Sequence, residues 1–278
     1  MIDILEACAT GDIEALERLL DSEDSGQVYV GGLNGLPVHS QRDGDGETPL
    51  FYAVRNDQLE AAKLLVAYGT SVNDRAHNKA TALHYANSEE MVTFLVCEGA
   101  NVNAANEFGN KPLHFINNTA CARILLDNGA RVDARNRDGE TPLIYAAGRI
   151  PVDHATLLIE RGAPIDAHSK GRDTALHRAT IYGNTDAVKT LLDYGARMDI
   201  QNSQGFTARD YAAGNGGYVG WQWMDNDGCK ELFDAAVAER TKNALLTGLT
   251  WKPSDVREGS CQNSEHDRHD RHDRRRAL

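Results

Sequence analysis

Six near copies of one short segment constrain the fold of this chain more than any other feature of its sequence. Their opening stretches are TPLF at 48–51, TALH at 81–84, KPLH at 111–114, TPLI at 141–144, TALH at 174–177 and TARD at 207–210. The intervals between them are 33, 30, 30, 33 and 33 residues. A period of this length predicts an array in which each unit packs on its neighbours.

A second sequence feature recurs in the same register as these opening motifs. Glycines that would follow the last turn of a second helix stand at Gly69, Gly99, Gly129, Gly162 and Gly195. Glycine is the usual residue at the end of a helix, where the backbone turns left-handed. Because the two markers are independent and keep the same register, chance repetition is excluded.

Residues 173–188, DTALHRATIYGNTDAV, carry the helix opening and the glycine break between two helical runs. This segment resembles the ankyrin repeat, whose signature is a T-P-L-H-x-A helix start in a period of about 33 residues. The resemblance covers roughly residues 2–215. It implies an all-α solenoid of about six to seven helix-turn-helix repeats with β-hairpin loops. It also implies a non-enzymatic adaptor or interaction module, which binds another protein through a concave groove and the hairpin tips.

Departures from the repeat divide the chain into five predicted parts. Residues 1–20 lack the usual opening but keep a two-helix pattern, which is typical of an N-terminal capping repeat. Residues 21–43 form an insertion loop, and residues 44–217 hold the ankyrin repeats. Residues 218–250 form a C-terminal helical cap with a helix over 230–246. Residues 251–278 are predicted to be a disordered tail, because the stretch from Lys252 on has very little apolar content.

The third and fourth units, counted with the N-terminal cap as the first, are shorter than the others. The opening residue and the closing glycine are 18 residues apart in these two units, and 21 apart in the second, fifth and sixth. The deletion falls between the two helix ends, so the inner helix or its loop should lose about one turn, or ~4.5 Å. Asn87, Asn117 and Asn118 lie where the missing turn would have been.

Charge and composition narrow the partner class. A net charge of −12 argues against a nucleic-acid or anionic-membrane surface, since both need a basic face. The sequence contains no apolar run of membrane-spanning length and no signal-like start. We therefore expect a cytoplasmic monomer that binds a protein, with the nucleus as the alternative location. Five cysteines without a C-x-x-C pair predict reduced thiols.

Three motif histidines, His84, His114 and His177, invite a catalytic or metal-binding interpretation. The same slot holds Phe51 and Ile144, which favours a structural role. The resemblance implies that these histidines join a hydrogen-bond network between neighbouring repeats. No Glu-x-x-His, His-x-x-x-His or Gly-x-Ser-x-Gly arrangement occurs, and the tail histidines His266, His269 and His272 are explained by a solvated mixed-charge tail, so we expect no catalytic residue, cofactor or metal.

The position after the motif histidine forms an aromatic line that is broken once: Tyr52, Tyr85, Phe115, Tyr145, Arg178 and Tyr211. Stacked repeats would place these residues side by side. They could serve ordinary packing between repeats, or they could form a groove edge that presents tyrosine hydroxyls.

Two hairpin turns have Lys79 and Arg172 where the others have glycine, which predicts a strained or differently shaped turn. The resemblance further implies that Asn73 and Asn103 match a segment that asparaginyl hydroxylases modify in this family.

The resemblance places partner contacts at the inner-helix positions just before each break between helices. In this sequence these positions are Arg55, Asn56, Asn87, Asn117, Asn118, Arg149, Ile181 and Tyr182. Because Tyr and Arg dominate binding hot spots, a groove flanked by them with a step in its middle is the predicted recognition site. Two alternatives stay open. One is an enzyme or regulatory subunit with a site near residues 218–230, and the other is a cortical scaffold tethered by the tail.

Overall fold

The computed structural model describes residues 3–24, 38–148, 152–214 and 227–247. Within these ranges the chain is a row of helix pairs without a strand, which confirms the predicted all-α solenoid. In each pair a short inner helix precedes an outer helix. The pairs are α1 (Ile4–Thr10) with α2 (Ile13–Asp24), α3 (Pro49–Arg55) with α4 (Leu59–Ala67), a 3-10 helix (Ala82–His84) with α5 (Glu89–Cys97), α6 (Pro112–Phe115) with α7 (Thr119–Asp127), α8 (Pro142–Ala146) with α9 (Val152–Glu160), and α10 (Ala175–Ile181) with α11 (Thr185–Asp193).

Three further helices lie outside these pairs. A 3-10 helix (Val38–Ser40) precedes the second unit, α12 (Ala208–Ala212) opens the seventh, and α13 (Asp227–Thr247) follows it. The helix predicted over 230–246 lies within α13. Most of the predicted insertion loop and all of the predicted tail lie outside the described residues. In the part of the chain that is described, no helix is long and apolar enough to cross a membrane.

The inner helices of the third and fourth units are short, as the residue spacing predicts. The 3-10 helix of the third unit has three residues and α6 has four, whereas α3 and α10 have seven each. Their outer helices α5 and α7 keep nine residues, as α4 does. The deletions therefore shorten only the inner side of these two units.

Side chains at the helix starts explain where most inner helices begin. The Thr174 hydroxyl accepts a hydrogen bond from the His177 backbone N–H, and Asp3 accepts one from Glu6 in the same way. Thr48 also holds the N-cap position before Pro49, but its hydroxyl makes no capping hydrogen bond. In the third and sixth units the threonine hydroxyl is hydrogen-bonded to Nδ1 of the motif histidine, His84 or His177. The second unit has Phe51 at the histidine position, so Thr48 lacks this partner.

One continuous core runs along the row because each unit contributes the same buried positions. The leucine of the opening motif is buried in five units: Leu50, Leu83, Leu113, Leu143 and Leu176. Outer helices add a matching set: Leu65, Leu95, Leu125, Leu158 and Leu191. Small buried alanines between them let neighbouring helices approach closely. Each unit is thus stabilised mainly by its neighbours.

The row ends against α13, which packs on α11 and α12. Cys229 and Phe233 on α13 are fully buried. The Arg240 guanidinium donates to the Ala196 carbonyl at 3.0 Å, and Arg209 pairs with Asp234 at 2.8 Å. These contacts bury the open face of the last unit, where the next repeat would otherwise stack.

Lys79 and Arg172 keep the turn shape of the glycines that they replace. Their φ angles are 61° and 62°, in the left-handed region that disfavours side chains with a Cβ. The Lys79 N–H donates to the Ala76 carbonyl at 2.8 Å, matching the Gly109 bond to Asn106 at 3.0 Å. The sequence predicts either a strained or a differently shaped turn at these two positions, and the structure has the strained turn.

Candidate partner-binding site

The tips of successive hairpins are joined into one edge by backbone hydrogen bonds. An N–H near each tip donates to a carbonyl of the preceding tip: His77 to Asp45 at 2.8 Å, Glu107 to Asn78 at 2.7 Å, Arg137 to Phe108 at 2.8 Å, Lys170 to Asp138 at 2.7 Å and Ser203 to Gly171 at 2.9 Å. At Gly109 an added Cβ would lie 2.9 Å from the Arg137 nitrogen, so this close approach requires glycine. The tips therefore act as one preorganised surface.

Arginine side chains hold the hairpins together at their bases. Arg42 donates to its own hairpin at the Gly46 carbonyl and to the next at the Arg75 carbonyl, at 2.8 and 2.9 Å. Arg135 repeats this with the Gly139 and His168 carbonyls at 2.8 and 2.7 Å. Each of these two guanidinium groups thus links the backbones of two neighbouring hairpins.

The motif histidines form the predicted network between repeats. The His84 Nδ1 accepts the Thr81 backbone N–H at 3.1 Å, and its Nε2 lies 3.2 Å from the Asn110 carbonyl. The corresponding Nε2 contacts run from His114 to the Glu140 carbonyl at 3.2 Å and from His177 to the Phe206 carbonyl at 3.1 Å. Burial lowers the pKa of all three rings, that of His114 to about 4. They are neutral, structural donors to the next unit.

The tyrosine hydroxyls at both ends of the aromatic line are bound to their own hairpins. Hydrogen bonds join Tyr52 to Asp43 at 2.7 Å, Tyr85 to Asn78 at 3.3 Å and Tyr211 to Asn202 at 2.8 Å. In the middle of the line, Phe115 has no hydroxyl, and the Tyr145 hydroxyl has no hydrogen-bond partner among the described residues. The groove edge thus differs between its ends and its centre.

A cleft of about 430 Å³ opens at this centre, between the hairpin tips and the two shortened inner helices. Its lining residues include the aromatic Tyr85, Phe108, Phe115 and Tyr145 and the acidic Asp138 and Glu140. Asparagine, alanine and the buried His84 complete the lining, which contains no Lys or Arg. We call this the central cleft.

The cleft is open because of two local differences from the ends of the row. The shortened inner helices remove the residues that would project over the Phe115 and Tyr145 rings. The Asn136 amide donates to the Asn110 side chain at 2.9 Å and to the Glu140 carboxylate at 3.1 Å, whereas the corresponding Asn78 and Asn202 bond to tyrosine hydroxyls. These contacts leave the Tyr145 ring at the cleft wall.

Phe108 is the most exposed large apolar side chain among the described residues, with 58% of its surface accessible. It stands at the tip of its hairpin and lines the central cleft. Phe108 is not among the contact residues predicted from the sequence. A signal existed, because the same tip position holds Asp45, Asn78, Asp138, Gly171 or Gln204 in the other hairpins, all of them non-apolar.

Arg55, the first of the predicted contact residues, lies at the end of α3 and is engaged within the chain. Its guanidinium pairs with Glu47 at 2.6 Å and lies over the Tyr85 ring, 4.7 Å from the centroid. Asn56, next to it, donates to the Tyr52 carbonyl at 2.9 Å and is exposed. Neither residue lines the cleft, although Arg55 contacts the lining residue Tyr85.

The predicted asparagines lie at the shortened breaks. Asn87, Asn117 and Asn118 are exposed. Asn118 has a structural role, because its side chain accepts the Ala120 and Cys121 backbone N–H groups at the start of α7. The structure thus places all three at the step that the deletions create.

At the far end, Ile181 closes α10 and the half-buried Tyr182 follows it. The Tyr182 ring lies directly against the Gly148 backbone, where an added Cβ would be 2.2 Å from the ring. Arg149 lies outside the described residues.

The asparagines at 73 and 103 link successive units. Asn73 donates to the Gly99 carbonyl at 2.9 Å and accepts the Asn101 N–H at 2.8 Å. Asn103 makes the same two bonds to Gly129 and Arg131. The hydroxylation that the resemblance implies stays an untested expectation.

Two kinds of titratable group are buried away from the cleft. His154 on α9 is fully buried, and its ring nitrogens have no hydrogen-bond partner among the described residues. Burial lowers its pKa, which the nearby Asn117 backbone only partly opposes. Burial also raises the pKa of the Cys8 thiol to about 12 and of Cys121 to about 11. Within the described ranges, no group of His, Cys, Asp or Glu side chains is arranged to hold a metal ion.

Comparison with protein families identifies the repeat. A family model described as ankyrin repeats (3 copies) matches residues 4–106, 86–169 and 152–236. These matches together span most of the chain.

Curated relatives match over a short stretch. The chain is 31% identical to zebrafish (Danio rerio) inversin over 88 residues, and 32% identical to human inversin over 89 residues. These matches cover 28% and 32% of this chain, but only 9% and 7% of the two inversins. The chain therefore spans less than a tenth of the length of these relatives.

Solved structures match over much more of the chain. The ankyrin repeat domain of human ASB11 aligns with a TM-score of 0.64 and 29% identity, covering 75% of this chain and 90% of that domain. The ankyrin repeat domain of Bcl-3, a member of the IκB protein family, aligns with a TM-score of 0.59 and 26% identity, covering 75% and 92%.

Proposed function

The chain belongs to the ankyrin repeat family, and on that premise we propose that it is a non-enzymatic adaptor that binds a protein partner at the central cleft. The hairpin tips and the inner-helix ends around the cleft complete the binding surface. We place this activity in the cytoplasm and assign it to a monomer.

The observation that carries the proposal is the exposed Phe108 ring beside a cleft that is lined by three further aromatic rings. Exposed aromatic side chains next to a pocket are typical binding hot spots. The hydrogen bonds between the hairpin tips support this role, because a surface that is already ordered loses less entropy on binding.

The inner-helix ends on either side of the cleft supply the flanks of the surface. Arg55 and Asn56 lie on one side, and Ile181 and Tyr182 on the other. We propose that Tyr182 and Arg149 contact the partner beyond the cleft. The alternative site near residues 218–230 falls largely outside the described residues and gains no support from the rest.

The test begins with affinity capture by the intact chain and mass spectrometry to identify the partner. Binding of that partner is then measured by biolayer interferometry for Phe108→Ala, Tyr182→Ala and Arg149→Ala. Each should weaken binding by roughly 5- to 150-fold, which corresponds to about 1 to 3 kcal/mol.

Lys189→Glu is the matched control, because Lys189 is exposed on the outer helix α11. It should leave affinity and fold unchanged. If the partner binds equally well to Phe108→Ala, Tyr182→Ala and Arg149→Ala but is lost with Lys189→Glu or with removal of residues 22–41, the proposed surface is wrong.

A further inference from the structure

The chain places one of its own guanidinium groups on the aromatic line at the N-terminal side of the cleft. The Arg55 guanidinium carbon lies 4.7 Å from the centroid of the Tyr85 ring. The same guanidinium pairs with Glu47 at 2.6 Å, and the Glu47 side chain is only 8% exposed. An arginine held between a ring face and a carboxylate is a favourable arrangement, because both attract the cation.

A second guanidinium, that of Arg178, lies at the C-terminal side of the cleft. Arg178 takes the place of the aromatic residue in the sixth unit, and it pairs with the Glu140 carboxylate. The central cleft therefore lies between two internal arginine–carboxylate pairs.

Between these pairs, the deletions remove the positions that correspond to Arg55. The inner helices of the third and fourth units end before such a residue could project over Phe115 or Tyr145. These two rings contact each other edge to face, with centroids 5.6 Å apart. They remain half-exposed at the cleft wall.

The charge of the lining favours a cation. The lining includes two acidic residues, Asp138 and Glu140, and no Lys or Arg. Glu140 is already paired with Arg178. Asp138 is exposed, and its carboxylate makes no ion pair or hydrogen bond with any described residue. Arg137, next to it in the hairpin, is not part of the lining.

We propose that the central cleft receives an arginine side chain of the partner, with its guanidinium against Phe115 and Tyr145 and paired with Asp138. This rests on the proposed function and names the chemistry of the partner segment. The incoming arginine would repeat, between chains, what Arg55 does within this one.

The test uses two fluorescent peptide pools with random uncharged flanks. One pool has a fixed central arginine and the other has citrulline, which is neutral and nearly the same shape. Retention on the immobilised full-length chain should be roughly fivefold or more higher for the arginine pool. Asp138→Asn, an exposed and isosteric change, should remove this preference, and so should Tyr145→Leu.

Glu98→Gln controls for general attraction to an acidic chain, because Glu98 is exposed at the end of α5 and its loss changes net charge equally. It should leave the preference for arginine intact. Equal retention of both pools overturns the inference. A preference that survives Asp138→Asn, or that falls equally with Glu98→Gln, overturns it as well. The proposed function is judged separately, by the Phe108→Ala measurement with the captured partner.

Discussion

Acid should destabilise this fold through its buried histidines, and His114 provides the sharpest case. Its ring is 1% exposed. Nδ1 accepts the Lys111 N–H at 3.1 Å, and Nε2 lies 3.2 Å from the Glu140 carbonyl. A ring that accepts a backbone N–H at one nitrogen and faces a carbonyl at the other is neutral, with its proton on Nε2. Protonation of Nδ1 would place a donor against the Lys111 donor.

The sign and size of the effect follow from the pKa of His114. Burial lowers it to about 4 in the folded chain, whereas an unfolded histidine titrates near 6.5. Below pH 6.5 the unfolded state binds a proton that the folded state does not, so stability falls as pH falls. At about 1.36 kcal/mol per pKa unit the full loss is about 3 kcal/mol, of which about 2 kcal/mol is reached at pH 5.

The assay compares the intact chain with His114→Ile, which introduces the residue that the fifth unit carries at this slot. Urea unfolding followed by circular dichroism gives the free energy of unfolding of both chains at pH 7 and pH 5. At pH 7 the variant should be less stable by about 1 to 3 kcal/mol, because it leaves buried polar groups unpaired. That gap should shrink by about 2 kcal/mol at pH 5. Titrating carboxylates affect both chains alike, so an unchanged gap would refute the reasoning.

Three further changes test the fold in thermal and urea unfolding. Lys79→Gly should stabilise the chain by about 0.5 to 1 kcal/mol, because glycine relieves the left-handed backbone; a lower midpoint would contradict this. His154→Met should raise the free energy of unfolding by about 1 to 2 kcal/mol, because Met91 is fully buried at the same position of the third unit and needs no hydrogen bond. Equal or lower stability of this variant would mean that the His154 ring nitrogens do have hydrogen-bond partners. Phe233→Ala should cost about 3 to 5 kcal/mol by opening the contact between α13 and the repeats, and an unchanged midpoint would remove α13 from the cooperative fold.

The sequence was sufficient for the array itself because its signals are local and repeated. The opening motif and the closing glycines set the register of the five helix pairs that follow the first. The distance of 18 rather than 21 residues between them located the two shortened inner helices. The slot shared by His84 with Phe51 was enough to assign a structural role to the motif histidines.

The central cleft could not be predicted in the same way, because it depends on contacts between units. The Asn136 amide turns toward Asn110 in the preceding hairpin, and no pattern within one repeat records that choice. Phe108 differs from the non-apolar residues at the other hairpin tips, but that difference alone does not show that its side chain lies beside a cleft. Whether Arg55 faces solvent or Tyr85 likewise depends on the neighbouring unit.

The central claim is that the partner binds at the cleft side and not at the outer helices. Phe108 and Tyr194 allow a matched comparison, because both are exposed large apolar side chains, 58% and 45% accessible, and Tyr194 follows the outer helix α11. A photo-crosslinking phenylalanine analogue placed at each position, followed by irradiation with the captured partner, reports which face is covered. The account predicts a crosslink from position 108 and none from position 194. A crosslink from 194 alone would contradict it.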